Sequence, residues 1–282
     1  MSVRIVIDSA SDITLQRADE LHLDFMPLKT IFGEEEYLDG ITITHKQFYE
    51  KLIECGTIPT TSQIPPYEFE KKFKEIREAG DTAVVITLSS LLSGTYQSAV
   101  LASDGFEDCI FTVDSLNVSL GLQSLVLYAV RLRDQGMSAK EIAAELERVK
   151  NKIVVLAVID TLEYLKQGGR ISKTAAWAGT MLAIKPVISI VKGEVVILGK
   201  ARGSKNGNNM LMQNVKESGG IDFSMPYCLG YTGLDDTLLQ KYIRDSAVLW
   251  EGKTDNLPIT TIGSTIGTHA GPGAIGVAFF HL

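Results

Sequence analysis

His269 stands in TIGTHAGPGAIG (265–276), flanked on both sides by Gly267, Gly271, Gly273 and Gly276. An imidazole can serve as a base, ligate a metal or hydrogen-bond a bound group, and glycines let that group come close to the backbone. Hydroxyls crowd four other stretches. DSASD supplies Asp8, Ser9, Ser11 and Asp12, and TTSQ supplies Thr60, Thr61, Ser62 and Gln63; TLSSLLSGTYQSA adds Ser89, Ser90, Ser93 and Thr95, and VDSLNVS adds Asp114, Ser115 and Asn117. Such residues most commonly cap helices, but a cap takes one of them. Three or four per turn exceed that need and point to a polar rim that holds something.

Three chemistries compete for this rim. Nucleotide binding would use a glycine turn at a helix N-terminus, yet neither G-x-G-x-x-G after the first strand nor G-x-x-x-x-G-K-[ST] is present, and the terminal loop has no lysine. Nucleophilic catalysis would pair Ser93 with His269, oriented by Asp114 or Asp8, as in a hydrolase of acyl esters or thioesters. The G-x-S-x-G elbow is missing, although Ser93 in LLSGTY directly precedes a predicted helix. Anion capture without reaction needs only several neutral donors, each charge-assisted bond contributing about 1.5 to 3 kcal/mol, and matches the hydroxyl excess best. Thr61, Ser62, Ser93 and His269 suit it.

The other histidines add little: His22 and His45 fall on predicted helices and His281 is next to the terminus. With no H-x-x-x-H or H-E-x-x-H, no metal is expected, and no cofactor. Arg170 in LKQGGRIS and Arg202 in GKARGSK stand beside glycines where each could reach an interdomain cleft.

The elements that must position these residues alternate. VRIVI, LDFMPLKTI, DTAVVITL and CIFTV read as strands, separated by the amphipathic stretches TLQRADELH, THKQFYEKLIE and PYEFEKKFKEIREA, with Gly56 and Gly80 at helix ends. This predicts a parallel sheet with helices on its faces. Asn117 to about Asn151 reads as helical, broken at Gly136 and restarted by Ser138 with Glu141 three residues on, a capping box. New strands follow: IVVLAVI, a hairpin of PVISIV and EVVILG across Lys192-Gly193, then PYCLGYT, PITTIG and AIGVAFF, a mixed sheet. The expected division is 1–151 and 152–282, the second part carrying the histidine loop.

Composition agrees with an unexported globular protein. The 282 residues are 45% hydrophobic, enough for more than one core, and 27 basic against 34 acidic side chains leave a net charge of -7, so nucleic acid is not an expected partner. MSVRIVIDSA has no signal-peptide organisation and no segment is long enough to span a bilayer, which predicts a cytoplasmic location. Cys55, Cys109 and Cys228 are scattered and are expected as buried thiols.

Taken together, VIDSASD, TTSQ, LSSLLSGTYQSA, VDS, LEYLKQGGRIS (162–172), IKPVISIVKGEV (184–195), KARG and GTHAGPGAIG resemble, in this order, the DegV family of bacterial fatty-acid-binding proteins. Ile64 departs from the family, which commonly has proline directly after TSQ. The resemblance implies a two-domain α/β fold, an α/β/α domain with a parallel sheet and a smaller α/β domain with a mixed six-stranded sheet. It also implies a long-chain fatty acid as ligand, a separate fatty acid kinase as partner, and acyl phosphate as the product made by that kinase. The carrier itself would be no enzyme, with transient contact with a membrane surface. On this resemblance Thr61, Ser62, Ser93 and His269, with Thr268 beside it, contact the carboxylate; Arg170 and Arg202 serve the kinase encounter or the acyl-phosphate state. Burying about fifteen methylenes at roughly 0.8 kcal/mol each gives a gross gain on the order of 12 kcal/mol. The tail therefore supplies affinity and the head group orientation.

Overall fold

The computed structural model describes residues 2–171, 184–250 and 252–282. Its first part runs β1 (Val3–Asp8), α1 (Leu15–Glu20), β2 (Leu23–Met26), β3 (Lys29–Phe32), β4 (Glu35–Leu38), α2 (His45–Cys55), β5 (Thr60–Ser62), α3 (Pro66–Glu78), β6 (Thr82–Thr87), α4 (Thr95–Ala102), β7 (Ile110–Asp114), α5 (Leu120–Asp134) and α6 (Ala139–Val149). The remainder runs β8 (Ile153–Val158), α7 (Glu163–Gln167), β9 (Ile184–Val191), β10 (Glu194–Arg202), α8 (Gly203–Glu217), β11 (Cys228–Tyr231), α9 (Thr237–Asp245), β12 (Ile259–Thr261), α10 (Ser264–Ala270) and β13 (Ile275–Phe280).

A parallel four-stranded sheet has the order β2-β1-β6-β7. Ile5, Val6 and Ile7 and the run from Ala83 to Ile86 are all buried. Such unbroken apolar runs are what parallel strands need when helices cover both faces. Loops bearing the hydroxyl clusters leave the carboxyl ends of β1, β6 and β7, where crevices form in parallel sheets.

LDFMPLKTI is two strands, not the single one expected. Pro27 has no N–H to continue the ladder; β2 stays with β1, while β3 enters a separate antiparallel sheet of order β4-β3-β5. TTSQ is therefore mostly an edge strand rather than a connection. His22 also departs from expectation: α1 ends before it, and His22 sits in a turn with φ of 53°. The capping box at α6 forms, with Ser138 Oγ accepting the Glu141 N–H at 3.3 Å and Glu141 accepting the Ser138 N–H at 2.9 Å.

The mixed six-stranded sheet has the order β10-β9-β8-β13-β11-β12. Its β9–β10 hairpin turns at Lys192 (φ 51°) and Gly193 (φ 88°), two positive dihedrals that suit a tight primed turn. Along β8 the pleat divides the side chains: Leu156 and Val158 join the core beneath α8 and α9, while Val155 and Ala157 face the opposite side. Helix α5 covers that opposite side, with Leu122, Leu125 and Val126 in one apolar cluster with Val155, Ala278 and Phe280. That cluster runs continuously from the parallel sheet to the mixed one. Cys109 and Cys228 are buried; Cys55, expected inside, is exposed because it lies at the solvated end of α2. Among the described residues no helix is long and apolar enough to cross a membrane.

Candidate functional site

The stretch expected to be a glycine loop is helical up to Ala270. Seven residues, Ser264–Ala270, form α10 and place His269 in its last turn. Buried carboxylates hold the other end of this helix. Asp39 Oδ1 accepts the Ser264 N–H at 2.9 Å and its hydroxyl at 2.8 Å, and Oδ2 accepts the Thr265 N–H at 3.2 Å. Asp12 accepts the Gly263 N–H at 2.7 Å and the Ser119 hydroxyl at 2.5 Å. Acidic side chains that accept from the free N–H groups of a helix start satisfy donors left over there. The acidic residue of DSASD thus supports α10 from the end of the parallel sheet.

The glycines mainly permit close packing. A Cβ at Gly267 would stand 2.5 Å from Phe48 Cε1 and 2.6 Å from Tyr49 Oη, and one at Gly271 (φ 70°) would stand 2.4 Å from Tyr164 Cδ2. Both contacts seat α10 against its neighbours. Of the four glycines in the motif, Gly276 lines the cavity described below.

Three motifs distant in sequence meet at His269. Its Nε2 is 2.9 Å from Thr61 Oγ1 on β5. From TTSQ, Gln63 lies across Gly94, where a Cβ would come within 2.0 Å of Gln63 Oε1, and its amide donates to Ser98 Oγ at 2.9 Å. This ties β5 to the first turn of α4 and so to Ser93, whose Oγ is 3.0 Å from Thr95 Oγ1. Ile64, the departure after TSQ, is buried, and its N–H reaches Thr95 Oγ1 at 3.4 Å. From LEYLKQGGRIS, Gly168 leaves room for the imidazole: a Cβ there would lie 2.1 Å from His269 Nδ1. Arg170 follows, its Nε donating to the Leu92 carbonyl at 3.1 Å and a terminal nitrogen donating to the Gly168 carbonyl. Ser172, the last residue of that motif, lies outside the described residues.

Thr61, Ser62, Ser93, Arg170 and His269 all line one cavity of about 370 Å³. Beyond this polar end the wall is largely aliphatic, including Leu120, Val155, Ile188, Ile262 and Ile266. The volume falls in the range of small-molecule sites. Two expected site residues are elsewhere. Thr268 is on the far side of α10, buried, with its hydroxyl donating to the Ser264 carbonyl at 2.8 Å. Arg202 is exposed at the start of α8 and does not line the cavity.

The electrostatics favour a donor over a base at His269. Burial, and then the positive charge of Arg170, lower its pKa to about 4. The ring is neutral near pH 7, with one N–H to offer. Nδ1 is buried with no partner among the described residues, so no carboxylate orients the imidazole. Asp8 is occupied by the Leu88 and Ala10 N–H groups, and Asp114 by those of Ser90 and Leu116. The Ser-His-Asp arrangement weighed from the sequence is thus not assembled. Burial also lowers the Arg170 pKa, and among the described residues its guanidinium is the cation of a polar end otherwise lined by neutral donors. Composition alone did not distinguish this arginine from a solvated one.

Comparison with known proteins identifies relatives along the whole length. The profile described as "Uncharacterised protein, DegV family" matches residues 2–282. A DegV domain-containing protein of Caldanaerobacter subterraneus is 35% identical over 280 residues, covering 98% of each chain. A protein of Thermotoga maritima named as a fatty acid-binding protein is 30% identical over 281 residues, 98% of this chain and 96% of that one. Among solved structures, a fatty-acid-binding DegV family protein from Thermus thermophilus superposes with a TM-score of 0.87 at 31% identity and covers 100% of both chains.

Proposed function

The chain belongs to the DegV family, and from that premise we propose that its cavity holds one long-chain fatty acid and presents the carboxylate to a separate fatty acid kinase. The observation that carries this reading is a single cavity lined by Thr61, Ser62, Ser93, His269 and Arg170 and otherwise by largely aliphatic side chains. Hydroxyls and a neutral imidazole hold a carboxylate by donating to it, and Arg170 balances its charge. The apolar wall takes the chain, each buried methylene contributing about 0.8 kcal/mol.

The fatty acids bound by the Thermotoga and Thermus relatives support the ligand class. The kinase role is supported by chemistry: among the described residues the site offers donors and a counter-charge for the carboxylate but no Ser-His-Asp arrangement, which fits a reaction supplied by another protein. Phosphoryl transfer to one carboxylate oxygen would leave the chain carrying an acyl phosphate.

Two measurements on the full chain test this. Solvent extraction followed by mass spectrometry should yield about one fatty acid per protein, and radiolabelled acid should become acyl phosphate only when a kinase subunit and ATP are added. Absence of any bound or captured acid would overturn the ligand. Turnover of an acyl thioester by the chain alone, with fluorophosphonate labelling of Ser93, would replace the carrier with a hydrolase.

A further inference from the structure

The hydroxyl residues that line the cavity come from two separate sheets. Thr61 and Ser62 belong to β5 in the three-stranded sheet, while Ser93 lies on the loop between β6 of the parallel sheet and α4. β5 pairs with β3, and β6 with β1 and β7, so no ladder among the described residues sets the spacing between the two groups.

Gln63, the residue after β5, joins them. Its side chain lies across Gly94, the residue that opens α4: a Cβ at Gly94 would overlap Gln63 Oε1 and stand 2.8 Å from Cδ and 3.1 Å from Nε2. The φ of Gly94 is −73°, open to any residue, so this glycine provides space rather than backbone freedom. The same amide donates from Nε2 to Ser98 Oγ at 2.9 Å, at the end of the first turn of α4, and Ser98 is only 2% exposed. A glutamine at a strand end is ordinarily a solvated side chain. Here a space is kept clear for it and a buried partner receives it. The backbone adds a weaker link beside it, from the Ile64 N–H to Thr95 Oγ1 at 3.4 Å, and Thr95 Oγ1 is 3.0 Å from Ser93 Oγ.

Spacing matters because of the head group's chemistry. A carboxylate has two acceptor oxygens and draws on both groups of donors at once only where their separation fits, whereas an alcohol has one oxygen that either group satisfies alone. We propose that Gln63 is a positioning residue: resting in the space at Gly94 and bonded to Ser98, it sets Thr61 and Ser62 at a fixed distance from Ser93 and so makes the site selective for a two-oxygen head group. This rests on the fatty-acid reading above.

The test is displacement of a fluorescent fatty acid from the full chain by stearic acid and by stearyl alcohol. Wild type is compared with Gln63→Met, which keeps the side chain's length without the amide, with Ser98→Ala, with the two combined, and with Gly94→Ala alone and together with Gln63→Ala. Gln63→Met and Ser98→Ala should each raise the Kd of stearic acid about threefold to tenfold, the effect of one hydrogen bond, and change that of stearyl alcohol less than about twofold. The combination should be no worse than either single variant, since both break the same bond. Gly94→Ala should weaken stearic acid in the wild-type chain and cost nothing further once Gln63→Ala has emptied the space. Losses that multiply in the combination, equal losses for acid and alcohol, or no loss in Gln63→Met would each overturn the positioning role. Gln63 is exposed, so Gln63→Met leaves the core untouched and decides the matter even where Ser98→Ala or Gly94→Ala fails to fold. Failure of stearic acid to bind wild type would instead remove the fatty-acid reading, and the positioning role with it.

Discussion

Replacing His269 with Gln tests whether the imidazole is held uncharged by its surroundings. The amide can still hydrogen-bond Thr61 Oγ1, but it no longer titrates. In the folded chain burial, and secondarily Arg170, take the imidazole pKa from 6.5 to about 4. A group less willing to take a proton when folded contributes stability that is complete above the unfolded pKa and is lost as pH falls toward the folded one. At 1.36 kcal/mol per pKa unit, the interval between 6.5 and about 4 corresponds to about 3 kcal/mol. Buried Asp8 and Asp12 act oppositely: burial raises them to about 7 and about 8, so their contribution is present in acid and lost as pH rises through those values. Their effect is common to both proteins and cancels in the difference. Urea denaturation of wild type and His269→Gln across this range should show wild type gaining about 3 kcal/mol on the variant from about pH 4 to pH 7, then no more. A difference independent of pH would refute the buried, neutral imidazole.

Thr61→Val removes the hydroxyl that meets His269 Nε2 and should weaken fatty acid binding roughly tenfold to a hundredfold in displacement titrations, the loss of one hydrogen bond to a charged group. Arg170→Met keeps much of the side chain's bulk but removes the charge; it should weaken a fatty acid and leave the corresponding fatty alcohol almost unchanged, so equal losses for the two would separate Arg170 from the head group. Asp39→Ala strands three donors at the start of α10 and should cost roughly 2 to 4 kcal/mol in denaturant unfolding, with weaker fatty acid binding because α10 carries His269.

Local chemistry made much of this fold legible. The apolar runs of β1 and β6, the capping box at Ser138 and the Lys192-Gly193 turn each depend on neighbours in sequence, and each forms. The three-stranded sheet was hidden because its strands are three or four residues long and its register depends on Pro27 diverting the chain. Helix α10 was hidden by its glycines, whose purpose is contact with Phe48, Tyr49 and Tyr164, residues far away in sequence. The hydroxyl excess did mark the stretches that meet around His269, yet which of their residues line the cavity is set by the helix face. Thr265 and His269 share one face of α10, while Thr268 falls on another. Similarly, Arg170 and Arg202 look alike as arginines near glycines. Only the packing of α7 against α10 separates the one beside His269 from the one in solvent.

The most direct test of the carrier site is a crystal structure of the chain with a saturated long-chain fatty acid. The expected density is a single acid in the cavity, its carboxylate within hydrogen-bonding distance of Thr61 Oγ1, Ser93 Oγ or His269 Nε2, and its chain along Val155, Ile188 and Ile262. An acid bound on another surface, or with its carboxylate at the aliphatic end, would contradict the account.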